Sequence, residues 1–439
     1  MSEELVATIQ AGYGFDGEAV QLGVLMDGAP VVEAPIRIPL AMFNRHGLVA
    51  GATGTGKTKT LQLMAEALSK AGVPVFAADI KGDLSGMASP GVASEKLAAR
   101  TEAQGQPWEA KAAPCEFLAL GGQGTGIPVR ATISSFGPIL LSKVLGLNEV
   151  QESSLGLVFY YADNNGLPLL DLKDLVALLK FLTSDDGKDE LKEIGGVSAA
   201  TAGVILRNLV GLSEQGGDVF FGEPEFEPSE LLRVAADGRG VVSLLELPDL
   251  ASRPEMFSTF LMWLLADLFG SLPEIGDADK PKLVFFFDEA HLLFSGASKA
   301  FLEAVVRTVR LIRSKGVGIV FITQSPTDVP DEVLAQLGSR VPCTERPVTW
   351  SGPLKRALPV LQAVRRARHT GLQEALHMKR MGARRLTALF FSLALFRQAP
   401  EGQEISLWRE PAFFQSAHVQ NRRIVRRNQL MLAGRAAWH

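Results

Sequence analysis

One glycine-rich segment constrains the fold of this sequence more than any other feature. It begins with the apolar run Gly47–Gly51, which predicts a short strand, and the run after Thr58 has helical spacing. Between these runs the chain carries Gly51-x-x-x-x-Gly56-Lys57-Thr58, the pattern of a P-loop. Glycines let successive backbone N–H groups surround a phosphate, because side chains would block its approach. The segment therefore predicts a strand, a phosphate-binding loop and a helix in direct succession.

Each position of the P-loop has a predicted role. The ammonium of Lys57 is expected to reach the β- and γ-phosphate oxygens, and the hydroxyl of Thr58 is expected to bind Mg²⁺. The helix that follows directs its positive N-terminus at the same phosphates. The alternative is a glycine-rich turn with a solvated lysine. The predicted nucleotide-binding residues are Gly51, Ala52, Thr53, Gly54, Thr55, Gly56, Lys57, Thr58 and Lys59.

A second apolar run ends in two acidic residues. The continuous run Leu283–Phe287 predicts a central parallel strand that is buried on both faces. Ligands bind at the carboxyl ends of such strands. We therefore expect Asp288 to hold Mg²⁺ and Glu289 to act as the general base toward a water. The alternative is a strand capped by a solvated acidic pair.

Two further strands are predicted to end beside the same phosphates. The segment 73–83 follows the P-loop helix and ends in a charged turn. The strand predicted within the segment 316–326 ends at Gln324. The charged residues of that turn are Asp79, Lys81 and Asp83. We expect Gln324 to sense the γ-phosphate or its water, although it could equally be a turn residue at the end of the strand.

Three arginines precede the last of these strands at intervals of three residues. They are Arg307, Arg310 and Arg313, and the spacing places them along one side of a helix. One interpretation is a solvated basic face. The other is that at least one of them reaches the γ-phosphate bound by a neighbouring subunit, as an arginine finger.

Four segments in this order resemble the HerA/FtsK group of hexameric P-loop ATPases, and within it the bacterial HerA-like proteins of the YjgR type. They are NRHGLVAGATGTGKT, AADIKGDLSG, VFFFDEAHLLF and RSKGVGIVFITQSPTDVPDEVLAQLGSR, and the resemblance covers roughly residues 5–340. It implies that Lys57, Glu289, Gln324 and Arg313 are catalytic, with Arg313 acting in trans. It also implies that Thr58 and Asp288 bind the metal. The family forms rings, usually of six subunits, that couple ATP hydrolysis to movement of DNA.

The predicted fold is α/β, a RecA-like P-loop NTPase core of the additional-strand type with at least four parallel strands. We assign this core to residues 38–130 and 236–340, with a helical insertion at 131–235. Residues 1–37 alternate weakly and predict short strands. The remaining segment, 341–439, is an arginine-rich tail.

The charge of the chain changes sign at the start of that tail. Residues 1–340 carry a net charge of −16, whereas residues 341–439 carry +12 with fifteen Arg, two Lys and no Asp. Clustered arginine suits contact with nucleic-acid phosphates. Translation out of frame in a GC-rich gene would also yield Arg while depleting Asp, Lys and Tyr, and such a tail would be poorly ordered. Both interpretations stay open.

Cysteine usage and hydropathy indicate a compartment. The two cysteines, Cys115 and Cys343, lie far apart without CxxC spacing, which argues against a disulfide framework or a zinc site. The longest apolar stretches are too short to span a bilayer, and the N-terminus lacks the pattern of a signal peptide. We expect a cytoplasmic protein without membrane association.

The sequence leaves two functions open. The first is a Mg²⁺-dependent ATPase that forms a ring, binds DNA and moves it at the expense of ATP. The second is an ATP-driven switch that controls a protein partner without moving DNA. A small-molecule kinase is disfavoured by Glu289, because an adjacent Asp-Glu pair favours hydrolysis over transfer to another acceptor.

Overall fold

The structure is a computed structural model that describes residues 3–120, 124–192, 195–247, 254–276, 278–294 and 299–343. Its first elements are the helix α1 (Glu3–Tyr13) and the antiparallel hairpin of β1 (Ala19–Asp27) and β2 (Ala29–Pro39).

The prediction of short strands throughout residues 1–37 is wrong at its start, because α1 is a helix. Leu5, Ile9 and Tyr13 recur every four residues, which places them on one face of that helix. This face packs in a small apolar cluster with Ala34 of β2. The four-residue spacing was the available signal for the helix.

Parallel strands form the central sheet. In chain order they are β3 (Gly47–Gly51), β4 (Val75–Asp79), β5 (Cys115–Leu120), β6 (Ile127–Val129), β7 (Val242–Glu246), β8 (Leu283–Phe287), β9 (Val317–Thr323) and β10 (Ser339–Cys343). In space the eight strands of the described residues follow the order β10-β3-β9-β8-β4-β7-β5-β6. The strand before the P-loop, β3, is separated from the strand that ends in Asp288, β8, by β9. This arrangement is that of a RecA-like P-loop NTPase with an additional strand, as predicted.

The strand β8 lies in the middle of the sheet and is buried along its whole length. Successive side chains of a strand point to opposite faces, so its apolar residues enter two cores. Val284 and Phe286 pack in the core that contains Leu61 of the P-loop helix α2 (Lys57–Lys70). The other side chains of β8 pack in the core that contains Phe260. Helices on both faces therefore keep water away from the strand.

Helices fill most of the segment between β6 and β7, where sequence analysis predicts a helical insertion. Besides α1 and α2, the α-helices of the described residues are, in chain order, α3 (Glu95–Ala103), α4 (Ile133–Val144), α5 (Glu149–Asn164), α6 (Leu172–Leu182), α7 (Ala199–Leu212), α8 (Asp218–Phe220), α9 (Pro254–Ser271), α10 (His291–Phe294), α11 (Lys299–Ile312) and α12 (Asp331–Leu334). Of these, α4 to α8 lie in the segment between β6 and β7. Side-chain oxygens of Asn148 and Asp171 cap α5 and α6 in capping boxes. Phe220 and Phe260 contact each other edge to face and join this segment to α9 on the sheet.

The sheet continues past the boundary that composition places after Arg340. Val341 and Cys343 belong to β10, which pairs in parallel with β3. Pro342 lies in the same strand, and proline is tolerated there because β10 is at the edge of the sheet. The rest of the tail, from residue 344, lies outside the described residues. None of the helices described is both long and apolar enough to cross a membrane.

His46 connects three elements just before β3. Its ring is buried, with 2% of its surface exposed. Nδ1 accepts the backbone N–H of Ile319 in β9 at 3.1 Å, so Nε2 carries the proton and donates to the carbonyl of Val309 in α11 at 2.6 Å. Burial lowers the pKa of His46 to about 4, because the charged ring would lose its hydration. The neutral histidine thus holds α11 against the sheet.

Replacing His46 with asparagine is expected to flatten the loss of stability in acid. As pH falls from 6.5 to about 4, the unfolded histidine binds a proton before the folded one, so the unfolded state gains stability. This difference in pKa corresponds to roughly 3 kcal/mol of unfolding free energy. Asparagine does not titrate, and its side chain can both donate and accept a hydrogen bond. Urea unfolding across that pH window measures the effect, and an equally steep acid loss in the variant would contradict it.

Candidate functional site

The P-loop leaves β3 and turns directly into α2. Gly54 and Gly56 have φ angles of 84° and 95°, in the left-handed region that glycine adopts without strain. Gly56 is the residue before the first helical residue, Lys57. The loop therefore carries its backbone N–H groups to the N-terminus of α2, where the helix dipole adds positive potential.

The side chain of Lys57 lies across this loop. It is buried, and its Nζ donates to the carbonyl of Gly51 at 2.8 Å and to that of Ala52 at 3.0 Å. The hydroxyl of Thr55 donates to the same Ala52 carbonyl at 2.7 Å. The ammonium is thus held inside the loop, at the position from which it could bind phosphate oxygens.

The loop also has an edge strand against it. Cys343 at the end of β10 pairs in register with Gly51. A Cβ atom on Gly51 would come within 2.2 Å of the Cys343 carbonyl oxygen and 2.7 Å of the Thr55 hydroxyl. The thiol of Cys343 lies 3.8 Å from the hydroxyl of Thr60, and burial raises the pKa of that thiol. The first glycine of the motif therefore serves close packing as well as access to phosphate.

Strand register places Gln324 between the P-loop and the acidic pair. Ala50 of β3 pairs with Thr323 of β9, so Gln324 follows at the level of Gly51. On the other side of β9, the N–H of Ala290 donates to the carbonyl of Ile322 at 2.9 Å. The side chain of Gln324 is exposed at this edge of the sheet. Its position suits contact with a group bound between β3 and β8.

Asp288 is the first residue after β8 and is only partly exposed. Its Oδ1 accepts the backbone N–H of Glu289 at 2.8 Å. Burial raises the pKa of Asp288, while this hydrogen bond and the nearby charges of Lys81 and Lys57 act in the opposite direction. The carboxylate thus lies within the electrostatic field of the P-loop lysine.

Glu289 is bent away from the line of its strand. Its φ of 49° is left-handed, which is uncommon for a residue with a Cβ atom, and only 5% of its surface is exposed. Oε1 contacts Nζ of Lys81. Oε2 lies 3.2 Å from Nδ1 of His291 but accepts no hydrogen bond from the described residues. A carboxylate oxygen that accepts no hydrogen bond from the described residues can act as a proton acceptor.

The charged turn after β4 is organised by one of its own residues. The two carboxylate oxygens of Asp79 accept the backbone N–H groups of Gly82 at 2.8 Å and Leu84 at 3.1 Å. Asp79 therefore organises the turn, and burial raises the pKa of its carboxyl. Lys81 is directed at Glu289, and this pairing raises the pKa of the lysine. Sequence analysis missed it, because the partners are 208 residues apart.

Arg313 lies at the amino-terminal ends of the strands, opposite the P-loop. It follows α11 and comes four residues before β9, whereas the P-loop and Gln324 lie at the carboxyl ends of their strands. The seven residues of β9 separate the two ends of the strands by about 20 Å. Arg307 and Arg310 are exposed on α11. The structure thus brings together the P-loop, Asp288, Glu289 and Gln324, but no arginine of this group with them.

The donors available to a cation at the site are oxygens. Thr58 offers a hydroxyl and Asp288 a carboxylate, and such hard oxygen donors suit Mg²⁺. Among the residues that the structure describes, no group of three or more His, Cys, Asp or Glu side chains could hold a metal. Two protein oxygens suit Mg²⁺, because this ion usually completes its coordination with substrate phosphates and water.

Gly51→Ala is expected to lower stability by about 1–3 kcal/mol, because the added methyl group meets a backbone carbonyl that cannot move without disturbing β10. Gly86→Ala is the matched control, since a Cβ atom there meets nothing within 4 Å. Thermal unfolding of both variants measures the difference. Equal melting temperatures for the two would show that the contact with Cys343 is not formed.

Solved structures with a related arrangement include two of the plasmid coupling protein TrwB and one of VirB4. TrwB in complex with ADP and Mg²⁺ is 17% identical with a TM-score of 0.48, covering 77% of this chain and 76% of that chain. TrwB with the non-hydrolysable ATP analogue ADPNP is 18% identical with a TM-score of 0.48, covering 77% of each. VirB4 of Thermoanaerobacter pseudethanolicus is 14% identical with a TM-score of 0.46, covering 83% of this chain and 90% of that chain.

A sequence family described as "Helicase HerA-like C-terminal" matches residues 26–377. The match extends beyond Arg340, where the four motifs that carry the resemblance end, into the arginine-rich tail. Among curated proteins, none matches the chain significantly. Since the family match spans most of the sequence and its P-loop, β8 and β9 lie in the expected sheet order, the chain belongs to the HerA-like helicase family.

Proposed function

We propose that this protein is a Mg²⁺-dependent ATPase that assembles into a ring and couples hydrolysis to movement of DNA. The observation that carries the ATPase assignment is the meeting of three groups at the carboxyl-terminal ends of the strands. These groups are the P-loop with Lys57, the exposed Gln324 and the buried carboxylate of Glu289. A nucleotide bound on the P-loop would have its terminal phosphate beside the last two.

The residues divide the work of hydrolysis. The loop amides from Gly51 to Thr58 and the ammonium of Lys57 hold the β- and γ-phosphates. Thr58 and Asp288 are the residues that would hold Mg²⁺, which neutralises charge on the phosphate oxygens. Gln324 orients the attacking water or the γ-phosphate.

Glu289 supplies the proton acceptor. Its Oε2, which accepts no hydrogen bond from the described residues, takes a proton from water while the water oxygen forms a bond to the γ-phosphorus. The bond between that phosphorus and the β,γ-bridging oxygen breaks at the same centre, and the electron pair leaves with ADP. The products are ADP and inorganic phosphate, and the proton on Glu289 is then released to solvent.

The comparisons support the nucleotide and the partner. The TrwB structures contain ADP with Mg²⁺ and a non-hydrolysable ATP analogue as bound ligands. The family description names a helicase, which supports DNA as the partner. For the ring, the support is the position of Arg313, since an arginine at the far edge of the sheet reaches a nucleotide only when another subunit presents one.

Lys57→Ala is expected to abolish nucleotide binding, because it removes the only cation held inside the P-loop among the described residues. Glu289→Gln should retain binding and lose turnover by about 10²- to 10⁴-fold, since an amide accepts no proton from water. Phosphate release and titration with a fluorescent ADP measure the two properties. The control is Glu332→Gln, an exposed glutamate on α12. Undiminished turnover in Glu289→Gln would remove the assigned base.

The same assay with DNA added separates the motor from the switch. A motor that grips DNA is expected to hydrolyse ATP faster when DNA is present, because translocation draws each subunit through the catalytic state. Turnover that is unchanged by single- or double-stranded DNA would favour the switch that acts on a protein partner.

Arg313→Ala subunits mixed with Lys57→Ala subunits are expected to recover part of the activity that each lacks alone. At some mixed interfaces the first subunit brings an intact P-loop and the second an intact arginine. Arg310→Ala subunits mixed with Lys57→Ala subunits are the comparison, because Arg310 lies one helical turn before Arg313 and its side chain is exposed. Full activity of Arg313→Ala alone, or a fully active monomer, would contradict the arginine finger.

A further inference from the structure

We propose that Lys81 is a positioning residue for hydrolysis: it holds Oε1 of Glu289 and thereby leaves Oε2 as the oxygen that faces the attacking water. The inference rests on the proposed function, because it assumes that Glu289 is the base. The two partners lie on the turns that follow neighbouring strands, β4 and β8.

The contacts of Glu289 distinguish its two oxygens. Oε1 contacts the ammonium of Lys81, whereas Oε2 is buried, lies 3.2 Å from Nδ1 of His291 and accepts no hydrogen bond from the described residues. A carboxylate that is 95% buried needs a compensating charge, since desolvation of an unpaired ion costs several kcal/mol. The contact joins the turn after β8 to the turn after the neighbouring strand β4. Among the described residues, Lys81 is therefore the partner that holds Oε1, and the ring of His291 lies beside Oε2.

The turn that carries Lys81 is held at both ends. Asp79 accepts two of its backbone N–H groups, at Gly82 and Leu84. The carbonyl of Asp83 accepts Nε2 of Gln62 on α2 at 2.9 Å. These bonds tie the turn to the sheet on one side and to the P-loop helix on the other.

The tie to α2 reaches the P-loop itself. Oε1 of Gln62 accepts Nζ of Lys59 at 2.8 Å, and Lys59 is the second residue after the P-loop lysine. Exposed side-chain hydrogen bonds through Gln62 thus join the start of α2 to the turn. Lys81 is thus placed to align the base with the nucleotide-binding loop.

A different role for Lys81 would be a direct contact with the γ-phosphate. Its side chain is about half exposed, which leaves room for such movement. The described contact, however, commits its charge to Glu289, and Lys57 already supplies a cation to the P-loop. The two roles predict different losses, because a phosphate ligand affects ATP binding and a positioning residue affects turnover.

The test uses three variants of the full chain. Lys81→Met is expected to lower kcat by about 10- to 100-fold, because a misplaced base loses most of its catalytic effect. The KM for ATP and the Kd for fluorescent ADP should stay within about twofold, since no phosphate contact is lost. Lys81→Arg should recover part of the loss, because it restores the charge. Lys70→Met, at the exposed C-terminal end of α2, is the control for loss of a lysine.

Two outcomes overturn the inference. One is an unchanged kcat in Lys81→Met. The other is a loss of affinity for a non-hydrolysable ATP analogue that is at least as large as the loss in kcat, with ADP affinity retained, which would make Lys81 a γ-phosphate ligand. The proposed function fails separately, through undiminished turnover in Glu289→Gln. If Glu289→Gln is inactive and Lys81→Met is fully active, only the inference about Lys81 is lost.

Discussion

The parallel pairing of β3, β9 and β8 brings to one level of the structure residues that lie far apart in the sequence. Because all three strands run in the same direction, their carboxyl ends meet at one edge, and register then sets which residues are neighbours. Ala50 pairs with Thr323, and Phe321 pairs with Phe287, so Gln324 follows between the P-loop and the acidic pair. The same direction sends Arg313 to the opposite edge.

Burial of the sheet on both faces determines the electrostatics of that edge. The side chains of Phe285, Phe287 and Phe321 stack on one face, and the P-loop helix covers the other. A carboxylate at the end of such a strand loses water and must find a charged partner or keep its proton. Glu289 has Lys81, and Asp288 lies in the fields of Lys57 and Lys81. The apolar core and the charged site are therefore parts of one arrangement.

Local patterns predicted the elements that carry the site, and they failed where the pattern was short or weak. The P-loop, β8 and β9 were predictable because a motif or a long apolar run marks each of them. β10 was missed, since a five-residue edge strand that contains Pro342 has neither alternation nor a continuous apolar run. The helix α1 was missed because the weak alternation that follows it was extended to its residues, although Leu5, Ile9 and Tyr13 had helical spacing.

By itself, the sequence determined the chemistry available to this protein: a phosphate-binding loop, a buried strand that ends in Asp288 and Glu289, and a strand that ends in Gln324. Those features depend on residues that are close together in the chain, where spacing reveals them. Only the tertiary structure decided that Lys81 pairs with Glu289, that Cys343 closes on Gly51, and that Arg313 lies away from its own P-loop. These relations depend on strand order and register, which arise from packing and backbone pairing between segments that local spacing does not relate.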